Sequence, residues 1–103
     1  MSDGEVCRID VWLWRARFFK TRSLAARFVE SGRVRLSRGG AETRIDKPGR
    51  PVRAGDGLVF ALGGRVTAIR IDGVGERRGP AAEARGLYAL LQNPSHGAQT
   101  TAD

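Results

Sequence analysis

The sequence predicts an α+β domain in which two N-terminal helices pack on a small, bent, largely antiparallel sheet, with a third helix near the C-terminus. Two observations carry this prediction. Apolar residues recur at helical spacing between residues 9 and 29, and later segments alternate polar and apolar residues as half-buried strands do. A chain of 103 residues suits one domain with a single modest core.

The first predicted helix begins with Asp10 as its N-cap, because that carboxylate precedes an apolar run and can accept a bond from a first-turn amide. The helix is predicted to reach about Phe19. Ile9 and Leu13 lie on one stripe at helical spacing with Trp12 beside it, so this stripe is predicted to face the core.

Thr21 is the predicted N-cap of the second helix, and Gly32 ends it by supplying a left-handed position without a Cβ cost. The apolar side of this helix consists of Leu24, Ala25, Phe28 and Val29. Unpaired backbone amides at the start of this helix are expected to lie close to the neighbouring cations.

Residues 33–37 alternate polar and apolar side chains, which predicts a strand with Val34 and Leu36 inward. A loop over residues 38–43 and a short strand over residues 44–46 are predicted to follow. The outward side of the first strand is therefore cationic.

A hairpin is predicted from the runs 58–62 and 65–71, which flank a Gly63-Gly64 turn. The register of its second strand stays open, since Val66 and Ala68 compete with Ile69 and Ile71 for the core face.

Pro80 suits the first position of a third helix, with Glu83 in the first turn. Its predicted apolar side consists of Ala84, Leu87, Tyr88 and Leu91. The chain is thereby divided into a disordered N-terminus over residues 1–7, a folded domain over residues 8–91 and a disordered tail over residues 92–103.

The charge is concentrated in one segment. Residues 8–38 contain nine basic and two acidic residues, which accounts for the whole formal net charge of +7. A pI of about 11.2 predicts a polyanionic partner, either nucleic acid or an acidic membrane surface. All but two of the basic residues are arginine, which favours phosphate pairing and base stacking, although a GC-rich genome would also enrich arginine.

Several classes of function are disfavoured by the sequence. Cys7 is alone and His96 is the single histidine, so we expect no disulfide, no zinc site and no histidine-based catalytic triad. No apolar run has the length of a signal-peptide core or a membrane span. We therefore expect a cytoplasmic protein that is not an enzyme, requires no cofactor or metal, and does not enter membranes.

One short run combines cations, a helix start and hydroxyl donors. It consists of Arg17, Lys20, Thr21, Arg22 and Ser23. Such a combination favours phosphate, and Arg33 and Arg35 project from the strand that follows. A solvated charged face is the ordinary alternative, but the coincidence of these features favours phosphate contact.

Four aromatic residues cannot all be buried by one helix. Trp12 and Phe19 are the better core candidates. Trp14 or Phe18 either stacks on an unpaired base or packs on the hairpin or the third helix.

A set of motifs resembles a known RNA-binding domain. The motifs are Arg8-Ile9-Asp10, Trp12-Leu13-Trp14, Arg17, Lys20-Thr21-Arg22-Ser23, Ala25, Gly32-x-Val34-x-Leu36 and Pro51-Val52-x-x-Gly55-Asp56. They resemble the RNA-binding domain of the ribosomal-protein-S-four type. Within it, the chain is most similar to the bacterial ribosome-associated fifteen-kilodalton heat-shock protein family, over about residues 8–91.

The resemblance implies that the two helices and the following strand form the RNA face. Together with the basic run it gives a candidate RNA-binding set of Arg8, Arg17, Lys20, Thr21, Arg22, Ser23, Arg27, Arg33, Arg35 and Arg38. The implied partners are ribosomal RNA, the large ribosomal subunit and transfer RNA. The implied role is the recycling of stalled subunits that carry nascent chains under stress. We expect a monomer.

The sequence departs from the family in two places. Ser37 to Gly40 replaces the Asn-Gly that usually follows the strand, in a loop predicted to be longer, and a short tail replaces a long basic C-terminal extension. Two alternatives to the leading hypothesis stay open. The chain could be an accessory that targets an RNA-modifying enzyme to RNA, or a basic module that binds DNA or an acidic protein.

Overall fold

The computed structural model describes residues 5–91. Its elements in chain order are β1 (Cys7–Arg8), α1 (Ile9–Arg15), α2 (Arg22–Glu30), β2 (Val34–Arg38), β3 (Ala41–Ile45), β4 (Pro51–Val52), β5 (Gly57–Leu62), β6 (Arg65–Ile71), α3 (Ala81–Arg85) and β7 (Tyr88–Leu90). The predicted α+β class is confirmed. Residues 1–4 and the predicted tail with His96 lie outside the described residues, whereas Cys7, assigned above to the N-terminal extension, pairs with Val52.

The main sheet is antiparallel throughout. Its five strands have the order β3-β2-β5-β6-β7, and β1 pairs with β4 in a separate two-stranded sheet. The helices and the inward sheet face enclose one core, whose largest fully buried side chains include Trp12, Phe60, Ile9, Leu13, Leu36, Leu58, Ile69 and Ile71. The predicted core positions Ile9, Leu13 and Trp12 are confirmed.

The start of α1 differs from the prediction. Arg8, not Asp10, occupies the N-cap position and makes no side-chain cap bond. Asp10 lies inside the first turn, where its carboxylate accepts a bond from the Val11 amide at 2.8 Å and two from the Arg8 guanidinium at 3.0 and 3.1 Å. A carboxylate in the first turn still complements the positive end of the helix dipole.

The end of α1 also differs from the prediction, because the helix stops at Arg15 rather than near Phe19. Arg17 adopts a left-handed backbone with φ of 67°. The Phe18 amide donates to the Leu13 carbonyl at 3.0 Å, which is the six-to-one bond of a Schellman helix end. A non-glycine residue in this conformation is uncommon, so contacts elsewhere must hold it.

The start of α2 is as predicted, since the Thr21 hydroxyl accepts a bond from the Leu24 amide at 3.0 Å. Gly32 follows the helix with φ of 78°. Ala25 and Val29 are buried, but Leu24 is 46% exposed and does not belong to the core.

The predicted loop over residues 38–43 is a two-residue hairpin turn. Gly39 and Gly40 have φ of 58° and 84°, the two positive values that a type I′ turn requires. Because of this tight turn, β3 begins at Ala41 and pairs along the whole of β2. The prediction of a longer loop was wrong because two glycines suffice to reverse the chain.

The predicted hairpin of β5 and β6 is confirmed. Gly63 and Gly64 form its turn with φ of 62° and 78°, and the open register is settled by burial. Ile69 and Ile71 face the core, whereas Val66 is 51% exposed on the opposite side.

The third helix is much shorter than predicted. Pro80 is its N-cap rather than its first residue, and α3 ends at Arg85. The chain then forms β7, whose Tyr88 pairs with Ile71 along the edge of β6. Nonlocal strand pairing therefore overrides the helical spacing of the apolar residues.

Candidate nucleic-acid interface

The start of α2 gathers donors and positive charge at one exposed place. Thr21 satisfies the Leu24 amide, which leaves the amides of Arg22 and Ser23, the first two of the helix, available to a ligand. Lys20, Thr21, Arg22 and Ser23 are all exposed. An anionic group placed here would meet free amides, the positive end of the helix dipole and two cations.

Trp14 connects this place to a distant part of the chain. The Arg22 guanidinium lies 6.0 Å from the centroid of the Trp14 ring, and the Arg78 guanidinium lies 5.9 Å from it. The Arg78 Nε also donates to the Trp14 carbonyl at 3.1 Å. Trp14 is therefore engaged by two arginines through cation–π contacts, and Arg78 joins the basic cluster from a loop that sequence reasoning did not assign to it.

Side chains of α1 and its C-terminal turn tie this turn to the loop over residues 73–79. The Trp12 Nε1 donates to the Gly73 carbonyl at 2.8 Å, and the Arg15 Nη1 donates to the Gly75 carbonyl at 2.7 Å. The Arg17 Nε donates to the Gly79 carbonyl at 2.7 Å. This last bond holds Arg17 in its left-handed conformation. Arg17, which is predicted to contact phosphate, therefore also has a structural role.

Phe18 is partly buried and packs against other aromatic rings of the protein. Its ring lies 5.2 Å from Phe60 and 4.8 Å from Tyr88. Of the two alternatives left open for Phe18, packing on the hairpin is therefore the observed one. Phe19, the predicted core residue, is only partly buried and lies 5.1 Å from Phe28.

The remaining candidate cations continue along α2 and β2. Arg27, Arg33 and Arg35 are exposed, and the Arg33 guanidinium lies 6.0 Å from the centroid of the Phe28 ring. Arg33 borders a shallow cleft with Arg27 on one side and another with Arg35 on the other. These three cations therefore form a continuous row.

A cross-strand pair of like charges extends this row onto β3. Arg35 lies directly opposite Arg44 in the register of β2 and β3. The Arg44 guanidinium lies beside Gly32, where a Cβ would be 3.5 Å from it. The one acidic group close to Arg35 among the ion pairs of the described residues is Glu42, at 4.0 Å. Like charges directly opposite one another destabilise a sheet, so this arrangement favours an anionic ligand.

Two candidate residues are already paired with carboxylates. The Arg8 guanidinium binds Asp10, as described above, and the Arg38 guanidinium donates two bonds to the buried carboxylate of Asp56 at 2.7 and 2.8 Å. These pairs neutralise both charges. For Arg8 and Arg38, RNA contact stays a prediction with less electrostatic support than for the others.

The structure thus brings together a set of exposed or half-exposed cations, here called the basic surface. It consists of Lys20, Arg22, Arg27, Arg33, Arg35, Arg44 and Arg78. Sequence reasoning missed Arg44 because residues 38–43 were interpreted as a loop; a type I′ turn at Gly39-Gly40 would have placed Arg44 opposite Arg35. No local signal identifies Arg78.

The Arg44→Glu variant is expected to change RNA affinity and stability in opposite directions. The substitution converts a repulsive cross-strand pair into an attractive one, so the free energy of unfolding should rise by roughly 0.2–1 kcal/mol. RNA affinity should fall about 5- to 10-fold through the loss of one charged contact. Urea unfolding and fluorescence anisotropy measure the two effects, and Arg44→Gln separates loss of charge from reversal of charge. Unchanged RNA affinity in both variants would remove Arg44 from the basic surface.

Within residues 5–91, no group of three or more histidine, cysteine or acidic residues could hold a metal ion. Over the same residues, no helix is long and apolar enough to cross a membrane.

Comparison with known proteins identifies a family for the first half of the chain. Residues 7–58 match the family model of the S4 domain, a segment that contains both long helices, β2 and β3. All members of the basic surface except Arg78 lie within it.

Two curated proteins with different names are similar to the chain. The chain is 36% identical over 81 residues to heat shock protein 15 of Escherichia coli. This alignment covers 79% of this chain and 57% of that protein. It is 29% identical over 85 residues to the RQC P-site tRNA stabilizing factor of Listeria innocua, which covers 82% of this chain and 86% of that protein. The chain thus spans little more than half the length of the Escherichia coli relative.

A solved structure matches over nearly the whole chain. The structure of Vibrio cholerae heat shock protein 15, described as trimeric, has a TM-score of 0.78 and 35% sequence identity. The match covers 95% of this chain and 94% of that chain.

Proposed function

The chain belongs to the S4-domain family and, within it, to the heat shock protein 15 family, and from this premise we propose that it is an RNA-binding protein of the ribosome. The observation that carries the proposal is the basic surface. Its seven cations form no ion pair closer than 4.0 Å within residues 5–91, and they begin at a helix N-terminus with free amides. This arrangement suits a ligand with regularly spaced phosphates.

Recognition is proposed to follow the shape and phosphate geometry of structured ribosomal RNA. Side chains cannot enter the deep, narrow major groove of an RNA helix, so contacts to phosphates and 2′-hydroxyl groups dominate binding to paired RNA. Arginine makes two parallel bonds to one phosphate, and six of the seven cations are arginine. The row that runs from α2 across β2 to β3 would follow a backbone rather than a single anion.

The finer proposal concerns the place on the ribosome. We propose that the chain docks on the large subunit next to transfer RNA and helps to recycle stalled subunits that carry nascent chains. The similarity to a protein named for stabilising transfer RNA at the P site, together with the heat-shock relatives, supports this proposal. Co-sedimentation with purified large subunits, with and without peptidyl-transfer RNA, tests it. Equal binding to large subunits with and without peptidyl-transfer RNA would contradict this finer proposal.

Binding to ribosomal RNA is expected to depend strongly on salt. If five to eight phosphates are neutralised, the logarithm of the affinity should fall with the logarithm of the salt concentration with a slope of about −4 to −6. Fluorescence anisotropy over a series of salt concentrations measures this slope. A nearly flat dependence would overturn the proposal, and equal competition by duplex DNA at the same salt would favour a nonspecific basic module.

The oligomeric state of the chain is a separate proposal. We propose a monomer, although a relative from Vibrio cholerae has been solved as a trimer. The chain has a mass of 11.2 kDa, so light scattering after size-exclusion chromatography distinguishes the two states directly. A mass three times larger would contradict the monomer.

A further inference from the structure

We propose that a shallow cleft beside α2 receives one unpaired base of the bound RNA. The α2 cleft is lined by Phe19, Leu24, Arg27, Phe28, Ser31 and Arg33 and has a volume of about 340 Å³. The inference rests on the proposed RNA-binding function and deepens it, since it names the part of the RNA that this place takes.

The cleft is built on one stripe of α2 and its C-cap. Leu24, Arg27, Phe28 and Ser31 recur at the spacing that places side chains along one side of a helix. This stripe lies next to the buried stripe of Ala25 and Val29. Leu24 is 46% exposed, although it lies in the most basic segment of the chain. Leu24 therefore contributes exposed apolar surface to a cleft that Arg27 and Arg33 also line.

The aromatic wall of the cleft is fixed in place. The rings of Phe19 and Phe28 lie 5.1 Å apart at 44°, and the Phe28 ring makes an edge contact with the buried Phe60 at 6.2 Å. The Arg33 guanidinium lies over Phe28. The core holds these rings in place, so they form a stacking surface that loses little conformational entropy when a base binds.

The chemistry of the cleft fits a nucleotide better than a paired helix. Unpaired bases stack on aromatic rings and on guanidinium planes, and this stacking tolerates any base. Phosphates on either side of such a base could reach Arg27 and Arg33, which border the cleft. A fully paired RNA presents phosphates and hydroxyl groups and would leave the apolar wall unused. The stacking residue is therefore inferred to be Phe28 or Phe19, rather than Phe18, which is packed in the protein.

The experiment compares three short RNA hairpins that differ at one position. The first contains a single bulged base, the second has an abasic nucleotide in the bulge, and the third is fully paired. Anisotropy at one fixed salt concentration should show that the bulged base improves affinity about 5- to 30-fold over the abasic hairpin. In the Leu24→Ala and Phe28→Leu variants this ratio should fall below about twofold, while affinity for the paired hairpin stays unchanged.

Leu90→Ala is the matched control, because Leu90 is 72% exposed on β7, an edge strand that does not line the cleft. Circular dichroism shows whether Phe28→Leu folds, and Leu24→Ala keeps the test valid if it does not. Equal affinity of the wild-type chain for the bulged and abasic hairpins would overturn the inference. Self-association of the protein that depends on the cleft residues would also overturn the inference. So would an acidic peptide that displaces the RNA from the cleft and from no other part of the protein. Retained binding of the paired hairpin in any of these cases leaves the proposed function intact.

Discussion

Reversing the charges at the start of α2, in the variant Lys20→Glu/Arg22→Glu, is expected to abolish binding to ribosomal RNA. The substitution removes two charged contacts and adds two repulsive groups where free amides and the helix dipole attract phosphate. Two such contacts account for about 3 kcal/mol, so affinity should fall roughly 100-fold or more. Anisotropy and ribosome co-sedimentation measure the loss.

The design of this experiment separates site from net charge. The variant Lys47→Glu/Arg85→Glu carries the same change of charge at exposed positions that are not members of the basic surface. Its RNA affinity should fall only by a few-fold at physiological salt, because the overall positive potential of the protein is weaker. Both residues of the test pair are exposed, so the circular dichroism spectrum should not change. If the control pair loses as much affinity as the test pair, the contact lies elsewhere or is unspecific.

Local physics was sufficient for much of the fold. The Thr21 cap, the buried stripe of Ala25 and Val29, and the Gly63-Gly64 turn each depend on residues close in sequence, and the structure confirms them. The first two of these features set the start and the buried side of α2, whose first turn is the centre of the predicted site. Whether the candidate residues contact RNA stays a prediction.

The features that were missed depend on contacts between distant residues. The end of α1 depends on Arg17, whose unusual backbone is held by a bond to Gly79. The strand β7 exists because the edge of β6 offers backbone partners to Tyr88, which helical spacing alone cannot reveal. Arg78 enters the basic surface through Trp14. In each case the deciding partner is 17 to 64 residues away, beyond any local pattern.

One buried carboxylate connects the candidate site to stability. Asp56 is 2% exposed and accepts bonds from the Arg38 guanidinium and from the Arg53 amide at 3.0 Å. Burial acts to raise the pKa of this carboxyl, but the hydrogen bonds and charges of the two arginines outweigh burial, and the pKa lies below its ordinary value. Asp56 therefore stabilises the fold in its charged form, at the turn that connects β4 to β5.

The Asp56→Asn variant is expected to lower the free energy of unfolding by roughly 2–4 kcal/mol at neutral pH, because it leaves the Arg38 guanidinium without its charged partner. Asp72→Asn is the matched control: Asp72 binds Arg70 at 2.8 Å but is exposed, so its loss should cost under about 1 kcal/mol. Since the folded pKa of Asp56 is depressed, its contribution is present above the unfolded pKa of about 3.9 and is lost as the pH falls below that value. Urea unfolding of the wild-type chain and both variants from pH 7 down to about pH 3 measures this effect. The deficit of Asp56→Asn, which is its loss in free energy of unfolding relative to the wild type, should become smaller in acid. A deficit that is independent of pH would mean that the carboxylate charge is not what stabilises this turn.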